Sequence, residues 1–472
     1  MSLEKFLLEK LNQNLAFEPT VCQTMLFEKL AAFITSKEGC DLFLINGYAG
    51  TGKTSSLASL VRVLKEFSLG YVLLAPTGRA AKVLAGYTGQ KALTIHKQIY
   101  RQKSLKDGVG YFTLDMNKNK ETIFIVDEAS LISSAYGDSG VFGSGRLLDD
   151  LITYLRSNEG NKLILVGDSA QLPPVGEEIS NALNPDYLKG YGEVCHATLT
   201  SVVRQAQDSG ILFNATLIRR LIESGERGFP KLVTDGFDDV ERISGSDLIE
   251  SISGAYDRWG RENALVLCRS NKRANRYNNG IRASVLFKEE RVNRGDHIMV
   301  VKNCYQFLDE VPELDFIANG DVAEVLSIGN YQERYGLDFA EATLRFPDYN
   351  DVEITAKVIL NTLESESASL GALEQKRLFN EVMEDYSNIR LKRKRIAAVR
   401  EDRYYNALQI KHANAITCHK SQGGQWSTLF IDNPFWKGEI SVEDLKWLYT
   451  AITRATHKVY FVNFDDKFFA NR

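Results

Sequence analysis

Gly47-Tyr48-Ala49-Gly50-Thr51-Gly52-Lys53-Thr54 fits the spacing G-x-x-x-x-G-K-[ST]. Glycines at these positions let backbone N–H groups come close to phosphates. Lys53 would neutralise β/γ-phosphate charge, and the Thr54 hydroxyl can ligate Mg²⁺. A lone match of this kind is also what a Gly-rich turn gives by chance. Here the apolar run Leu42-Phe43-Leu44-Ile45 precedes it as a buried strand, and a helix-prone stretch, 55–67, follows. Strand, Gly-rich loop and helix in that order make a phosphate cradle. Nucleoside triphosphate hydrolysis is the expected chemistry, with Gly47, Ala49, Gly50, Thr51, Gly52, Lys53 and Thr54 at the nucleotide.

Two further stretches supply what hydrolysis needs. Ile123-Phe124-Ile125-Val126-Asp127-Glu128 is an apolar strand ending in two acids. Adjacent carboxylates at a strand end repel unless a cation joins them or water solvates the turn. With the phosphate cradle upstream, Asp127 is expected to hold Mg²⁺ and Glu128 to orient or deprotonate the attacking water. Leu163-Ile164-Leu165-Val166-Gly167-Asp168-Ser169-Ala170-Gln171-Leu172-Pro173-Pro174 is the next strand and its loop. Gln171 is expected at the γ-phosphate, and the paired prolines stiffen the turn behind it.

These residues need a scaffold that brings strand ends together. Short apolar runs at 42–45, 71–74, 123–126 and 163–166 alternate with helical patterns, a βαβ rhythm that predicts a parallel sheet covered by helices. Ligands gather at the carboxyl ends of such strands, and each polar motif follows one. A second α/β pattern begins near residue 200, with strand candidates at 264–268, 415–418, 429–431 and 459–462. A long insertion at about 296–410 interrupts it. Its first part reads as short strands (297–301, 322–328, 342–346, 352–358) with turns at Asn319-Gly320 and Pro347-Asp348, a small barrel or sheet. Its second part, 363–405, is helical and carries Arg390-Leu391-Lys392-Arg393-Lys394-Arg395. Such a run is by default a solvated helix face, and a nucleic-acid contact is the alternative. A smaller insertion, 101–120, reads as a hairpin with basic residues, glycines and the pair Tyr111-Phe112.

Composition narrows the remaining classes. The 472 residues are 44% hydrophobic and 25% charged, enough for ordinary cores in about three domains. The net charge of −4 does not by itself point to nucleic acid, although a local basic channel can sit on an acidic protein. The start of the chain carries mixed charge, and no apolar run approaches the ~18 residues of a membrane span, so a cytoplasmic protein without a membrane partner is expected. Six cysteines, at 22, 40, 195, 268, 304 and 418, form no Cys-x-x-Cys pair, which argues against a disulfide scaffold or a zinc site.

The motif set resembles the superfamily-1 helicases. It comprises GYAGTGKT, Ala75-Pro76-Thr77-Gly78-Arg79-Ala80-Ala81, Thr94-Ile95-His96, VDEAS and GDSAQLPPV, then Ala415-Ile416-Thr417-Cys418-His419-Lys420-Ser421-Gln422-Gly423 and Leu448-Tyr449-Thr450-Ala451-Ile452-Thr453-Arg454-Ala455. The Thr-Ile-His and His-Lys-Ser-Gln-Gly forms look most like the 1B branch, the RecD and phage Dda type. The resemblance spans about 20–465. It implies two RecA-like motor domains, 1–100 with 121–200 and 201–295 with 411–472. It also implies a pin-like insertion at 101–120 and an SH3-like barrel insertion with a helical, basic extension at 296–410. ATP and Mg²⁺ would lie between the motor domains.

Carried over by residue, Gln23 would read the adenine edge, and Gly423 would lie at the nucleotide. Arg204 and Arg454 would reach the γ-phosphate, where charge spreads over three oxygens and two guanidinium groups suit it. Pro76, Thr77, Thr94, His96, Thr417, His419, Lys420 and the barrel's Asn319 would line a sequence-blind channel for single-stranded DNA. Either histidine could instead be an ordinary satisfied polar side chain. Tyr111 or Phe112 would wedge apart the duplex, or else staple the pin to its own domain. The function implied is a monomeric, ATP-dependent 5′→3′ DNA helicase at duplex junctions, alone or recruited by replication or repair proteins. A single-strand translocase that displaces RNA or protein is the alternative. A slow nucleotide-switched binding module is a third reading, against which the paired acids and two arginines weigh.

Overall fold

The computed structural model describes residues 2–36, 39–102, 112–134, 142–203, 208–226, 228–304, 317–435 and 438–470. Six parallel strands form the first sheet, in the order Ala92–Thr94, Gly70–Ala75, Thr122–Val126, Lys162–Gly167, Leu42–Gly47 and Val194–Leu199. Both faces are covered, which is why its strands read as unbroken apolar runs. Phe43 and Ile45 face a core built with the helices Leu3–Gln13, Val21–Thr35 and Lys53–Glu66. Leu42 and Leu44 face the opposite core, under the helix Leu147–Arg156. Each first-half strand expected from the sequence is present. The edge strands Ala92–Thr94 and Val194–Leu199 were not legible, being short or broken by polar residues.

The second sheet is also parallel, in the order Ala415–Thr417, Ala264–Cys268, Trp426–Asp432, Ala455–Val462 and Val240–Ile243. Between its strands Ala264–Cys268 and Ala415–Thr417 lies a closed five-stranded barrel made of His297–Val300, Val322–Arg334, Leu337–Phe346, Val352–Ile359 and Leu408–His412. The last strand closes the barrel by pairing antiparallel with the first and parallel with the fourth. The helices Ala372–Asp385 and Lys392–Glu401 come before that closing strand, so they are an excursion from within the barrel. A boundary at 410 therefore falls inside a strand, one whose alternating polar residues (Gln409, Lys411) hid it in the sequence.

One expectation is corrected. Cys40 and Cys195 are joined as a disulfide, with Cα atoms 6.4 Å apart at a sequence separation of 155. Cys40 precedes Leu42–Gly47, and Cys195 lies on the strand paired with it, opposite Phe43. Sheet order, which spacing does not reveal, brings them together. Among the described residues no His, Cys, Asp or Glu cluster could hold a metal by itself, and no helix is long and apolar enough to cross a membrane.

Candidate nucleotide site and nucleic-acid track

The loop 47–54 leaves the carboxyl end of the strand Leu42–Gly47 and turns into the helix Lys53–Glu66 at Gly52, which has φ +80°. An L side chain would be strained there, and a Cβ would also lie 2.5 Å from Gln23 Nε2. Lys53 folds back over the cradle, donating to Gly47 O and lying 3.5 Å from Asp168. A cleft of about 410 Å³ opens above, lined by Phe17, Gly50, Lys53, Thr54, Tyr87, Asp127, Glu128, Gln171, Gly423 and Arg454 among others. Asp127 accepts hydrogen bonds from Tyr87 Oη (2.6 Å) and Glu128 N (2.9 Å). Burial, and then the neighbouring Glu128 charge, raise its carboxyl to about 6. Glu128 adopts φ +52°, an uncommon backbone for a non-glycine residue, and this aims its carboxylate into the cleft. Gln171 is buried, and its Oε1 has no hydrogen-bond partner.

The second half of the chain completes this cleft. Arg454 is almost fully buried, pairs with Glu128 at 3.3 Å, and leaves its Nε without a partner. Tyr449 accepts from Ala49 N (2.8 Å) and donates to Asp168 (2.7 Å), so one hydroxyl ties the phosphate loop to the neighbouring strand end. Leu172 N donates to Thr450 Oγ1 (2.8 Å), and Gln422 Nε2 donates to Leu172 O (2.7 Å). The helix Val442–Ile452 thus serves as a key between the two sheets. Family models agree with this division: an AAA domain matches residues 28–226, and a UvrD-like helicase C-terminal domain matches residues 412–462. The first match covers the phosphate-loop half of the chain, and the second, a helicase-type domain, covers the part that supplies Gly423, Tyr449 and Arg454. Similar curated proteins include the ATP-dependent RecD2 DNA helicase of Deinococcus radiodurans, 28% identical over 158 residues (33% of this chain, 19% of that protein). An uncharacterized protein of Methanocaldococcus jannaschii is 24% identical over 462 residues (89% of this chain, 36% of that protein). The match therefore spans about a third of the length of the second relative and a fifth of the length of the first. The crystal structure of Pif1 helicase from Bacteroides with ADP-AlF3 and ssDNA aligns over 97% of this chain and 95% of its own, at 16% identity and a TM-score of 0.48.

Most of the expected nucleotide residues line one cleft; Gly47 and Thr51 lie outside its lining, and so does Gln23. It is fully buried behind the loop as the third helical residue of a capping box. Its Oε1 accepts from Thr20 N (2.9 Å), and its Nε2 donates to Ser56 Oγ (3.3 Å). The amide oxygen thus caps its own helix and the amide nitrogen reaches the helix that follows the loop, so the structure places Gln23 behind Gly52 and outside the cleft lining. Phe17, a half-buried side chain in the cleft wall, carried no sequence signal. Tyr87 and Tyr449 were also missed. Tyr87 lies 40 residues from its partner Asp127, whereas Tyr449 stood inside a quoted motif without a role. Arg204 lies outside the described residues; nearby, Val203 N donates to Gly50 O at 3.0 Å.

The expected strand grips divide in a similar way. Thr77 follows the carboxyl end of a strand, and Thr94 and Thr417 are the last residues of theirs. The first two accept from Ala80 N (3.2 Å) and Lys97 N (3.1 Å), which leaves each hydroxyl proton available to donate. Gly423, at φ +77°, bridges the two sites. A Cβ there would lie 3.2 Å from Thr77 Oγ1 and 3.0 Å from Ala80. Lys420 donates to Asn319 Oδ1, and burial lowers its ammonium to about 8. Pro76 and His419 are half-buried beside these residues. His96 is half-buried, its ring packs 4.9 Å from Phe142 and 5.6 Å from Tyr100, and burial lowers its imidazole to about 4. Phe112 is corrected, since it is buried and stacked 4.6 Å from Phe142. It staples the hairpin Tyr100–Gln102/Phe112–Leu114 to its own domain rather than presenting a wedge. Tyr111 lies outside the described residues.

Proposed function

We propose that the chain is an ATP-dependent 5′→3′ DNA helicase that translocates on single-stranded DNA. The observation that carries the reading is the Arg454–Glu128 pair, in which a cation from the second sheet sits on the acid beside the expected γ-phosphate position of the first. A nucleotide entering this cleft competes for that guanidinium. Transfer of Arg454 to the γ-phosphate draws the second half of the chain onto the first and frees the Glu128 carboxylate to accept a proton from the attacking water. Gln171 Oε1, buried without a partner, is an acceptor placed to orient that water. Lys53 and Arg204 add charge against the remaining phosphate oxygens. Thr54 and Asp127 fit a magnesium ion, because a hydroxyl and a carboxylate, both hard oxygen donors, line the same cleft. When bound, that ion would offset charge on the β- and γ-phosphates.

Gly423 converts this chemistry into motion. It lies in the cleft wall and against Thr77, so a shift of the second half changes the spacing between the Thr77 and Thr417 grips. Those grips would contact phosphates without reading bases, as a motor requires. The 5′→3′ direction, and DNA as the polymer, rest on the family. A monomer acting in the cytoplasm at duplex junctions completes the reading. The test is steady-state ATP hydrolysis with and without single-stranded DNA or RNA. Strong stimulation by DNA, lost in Lys53→Ala, supports the reading. Turnover indifferent to any nucleic acid would favour a nucleotide switch instead.

A further inference from the structure

The excursion from the barrel forms a two-helix hairpin, Ala372–Asp385 and Lys392–Glu401. A small core that includes Leu337, Phe339, Leu378, Val382, Val399 and Tyr404 fixes it to one end of the barrel. The loop between its helices is pinned from inside by Arg395. Its Nε and Nη2 donate to Ile389 O at 3.1 and 2.9 Å, and Nη2 also donates to Ser387 O at 3.1 Å. Arg395 is therefore structural. By contrast, Arg390, Lys392 and Lys394 are exposed and make no ion pair with another described residue.

Three properties of this run point in one direction. The first turn of Lys392–Glu401 holds no acid, and Lys392, Arg393 and Lys394 stand at the helix end where the macrodipole disfavours cations. The run thus opposes the helix that carries it, which is not what a stabilising surface pattern does. It is also local, in a chain whose net charge is −4. Finally, the neighbouring rings are partly buried against the hairpin core: Tyr386 packs on it, and Tyr405 packs against Phe379. Surfaces that hold single strands combine cations with free aromatic faces for stacking. A cationic turn without such faces suits the dense phosphate ladder of a duplex.

Position separates this surface from the motor's own grips. The hairpin packs at the Leu337 end of the strand Leu337–Phe346, whereas Pro347, just beyond the other end, accepts from Lys82 of the first domain (2.8 Å). Ten residues of strand span about 30 Å. We propose that Arg390, Lys392 and Lys394 form a sequence-independent contact with the phosphate backbone of duplex DNA outside the strand channel. The proposal rests on the reading of the chain as a DNA motor.

The test titrates the full chain against a short blunt duplex and against a single-stranded oligonucleotide at several salt concentrations, by fluorescence anisotropy. Relative to wild type, R390A/K392A/K394A should bind the duplex at least tenfold more weakly at low salt. Its slope of log affinity against log salt should be shallower by about 2.7, at ~0.9 for each phosphate no longer neutralised. Single-strand affinity and single-strand-stimulated ATP turnover should stay at wild-type levels. The charge-conserving R390K/K392R/K394R should keep duplex binding, which separates charge from folding. Unchanged duplex affinity and slope would overturn the proposal, and so would an equal weakening on the single strand. If wild type shows no stimulated ATP turnover while the duplex result holds, the motor reading fails and the duplex contact stands.

Discussion

Lys53, Glu128 and Tyr449 carry three separable predictions. Lys53→Ala should reduce ATP turnover by orders of magnitude, because charge stabilisation supplies most of phosphoryl-transfer catalysis; a steady-state ATPase assay with single-stranded DNA reads this directly. Glu128→Gln should bind ATP and hydrolyse it poorly. Equilibrium binding of a fluorescent nucleotide alongside turnover separates that outcome from a structural loss, in which binding also disappears. Tyr449→Phe keeps the ring in the core but removes the hydroxyl shared by Ala49 N and Asp168. A hydrogen bond to a charged group is worth about 1.5–3 kcal/mol, so stimulated turnover should fall about tenfold or more. Unchanged kcat would mean that this hydroxyl holds the two halves together without steering chemistry. At this scale the sequence was most legible where neighbouring residues share a site, as in 47–54 and 127–128. It was least legible where a partner is distant in the chain. Tyr87 reaches Asp127 across 40 residues, and Gln23 matches a motif while its amide is used for capping.

The seam between the barrel and the first half of the chain belongs to the scale of elements. The turn Pro347–Tyr349 leans on the helix Gly78–Thr88. Lys82 lies 3.3 Å from Asp348, and a Cβ on Gly78 would come within 2.4 Å of the Tyr349 hydroxyl. Tyr349 in turn donates to Asp321 (2.8 Å), two residues from Asn319, the partner of Lys420. Asp321 also accepts from Ala318 N (2.7 Å). Burial pushes its carboxyl up from the ordinary 3.8 to about 7, with the Asp348 charge adding to the rise and the two hydrogen bonds opposing it. A carboxyl raised in the folded state binds more protons folded than unfolded between about 4 and about 7, so its contribution to stability declines as pH rises through that window. Asp321→Asn keeps an oxygen acceptor for both donors and removes the charge. Thermal unfolding from pH 5 to pH 8 should show wild type losing more stability than the variant with rising pH. Parallel curves would contradict the assignment. The barrel was readable from its alternating strands, but its closing strand was not. Leu408–His412 alternates apolar and polar residues while every one is buried, because Gln409 and Lys411 find partners on the 362–375 segment.

At the scale of the whole molecule, two parallel sheets meet at one nucleotide cleft, and each contributes residues that the other half lacks. The first supplies the phosphate loop and both acids; the second supplies Arg454, Tyr449 and Gly423. This division follows from strand order, and the motif order along the chain announced it. The Cys40–Cys195 bridge and the packing of Phe112 are products of the folded arrangement, which no linear spacing encodes. The proposed motor should convert ATP turnover into directional movement along one strand. The most direct measurement is ATP-dependent unwinding of two DNA duplexes, one with a 5′ single-stranded tail and one with a 3′ tail. The account predicts that only the 5′-tailed duplex opens, and that Lys53→Ala opens neither. Opening of the 3′-tailed duplex alone would contradict the direction of travel, and failure to open either, with stimulated ATP turnover intact, would contradict the helicase reading in favour of a translocase.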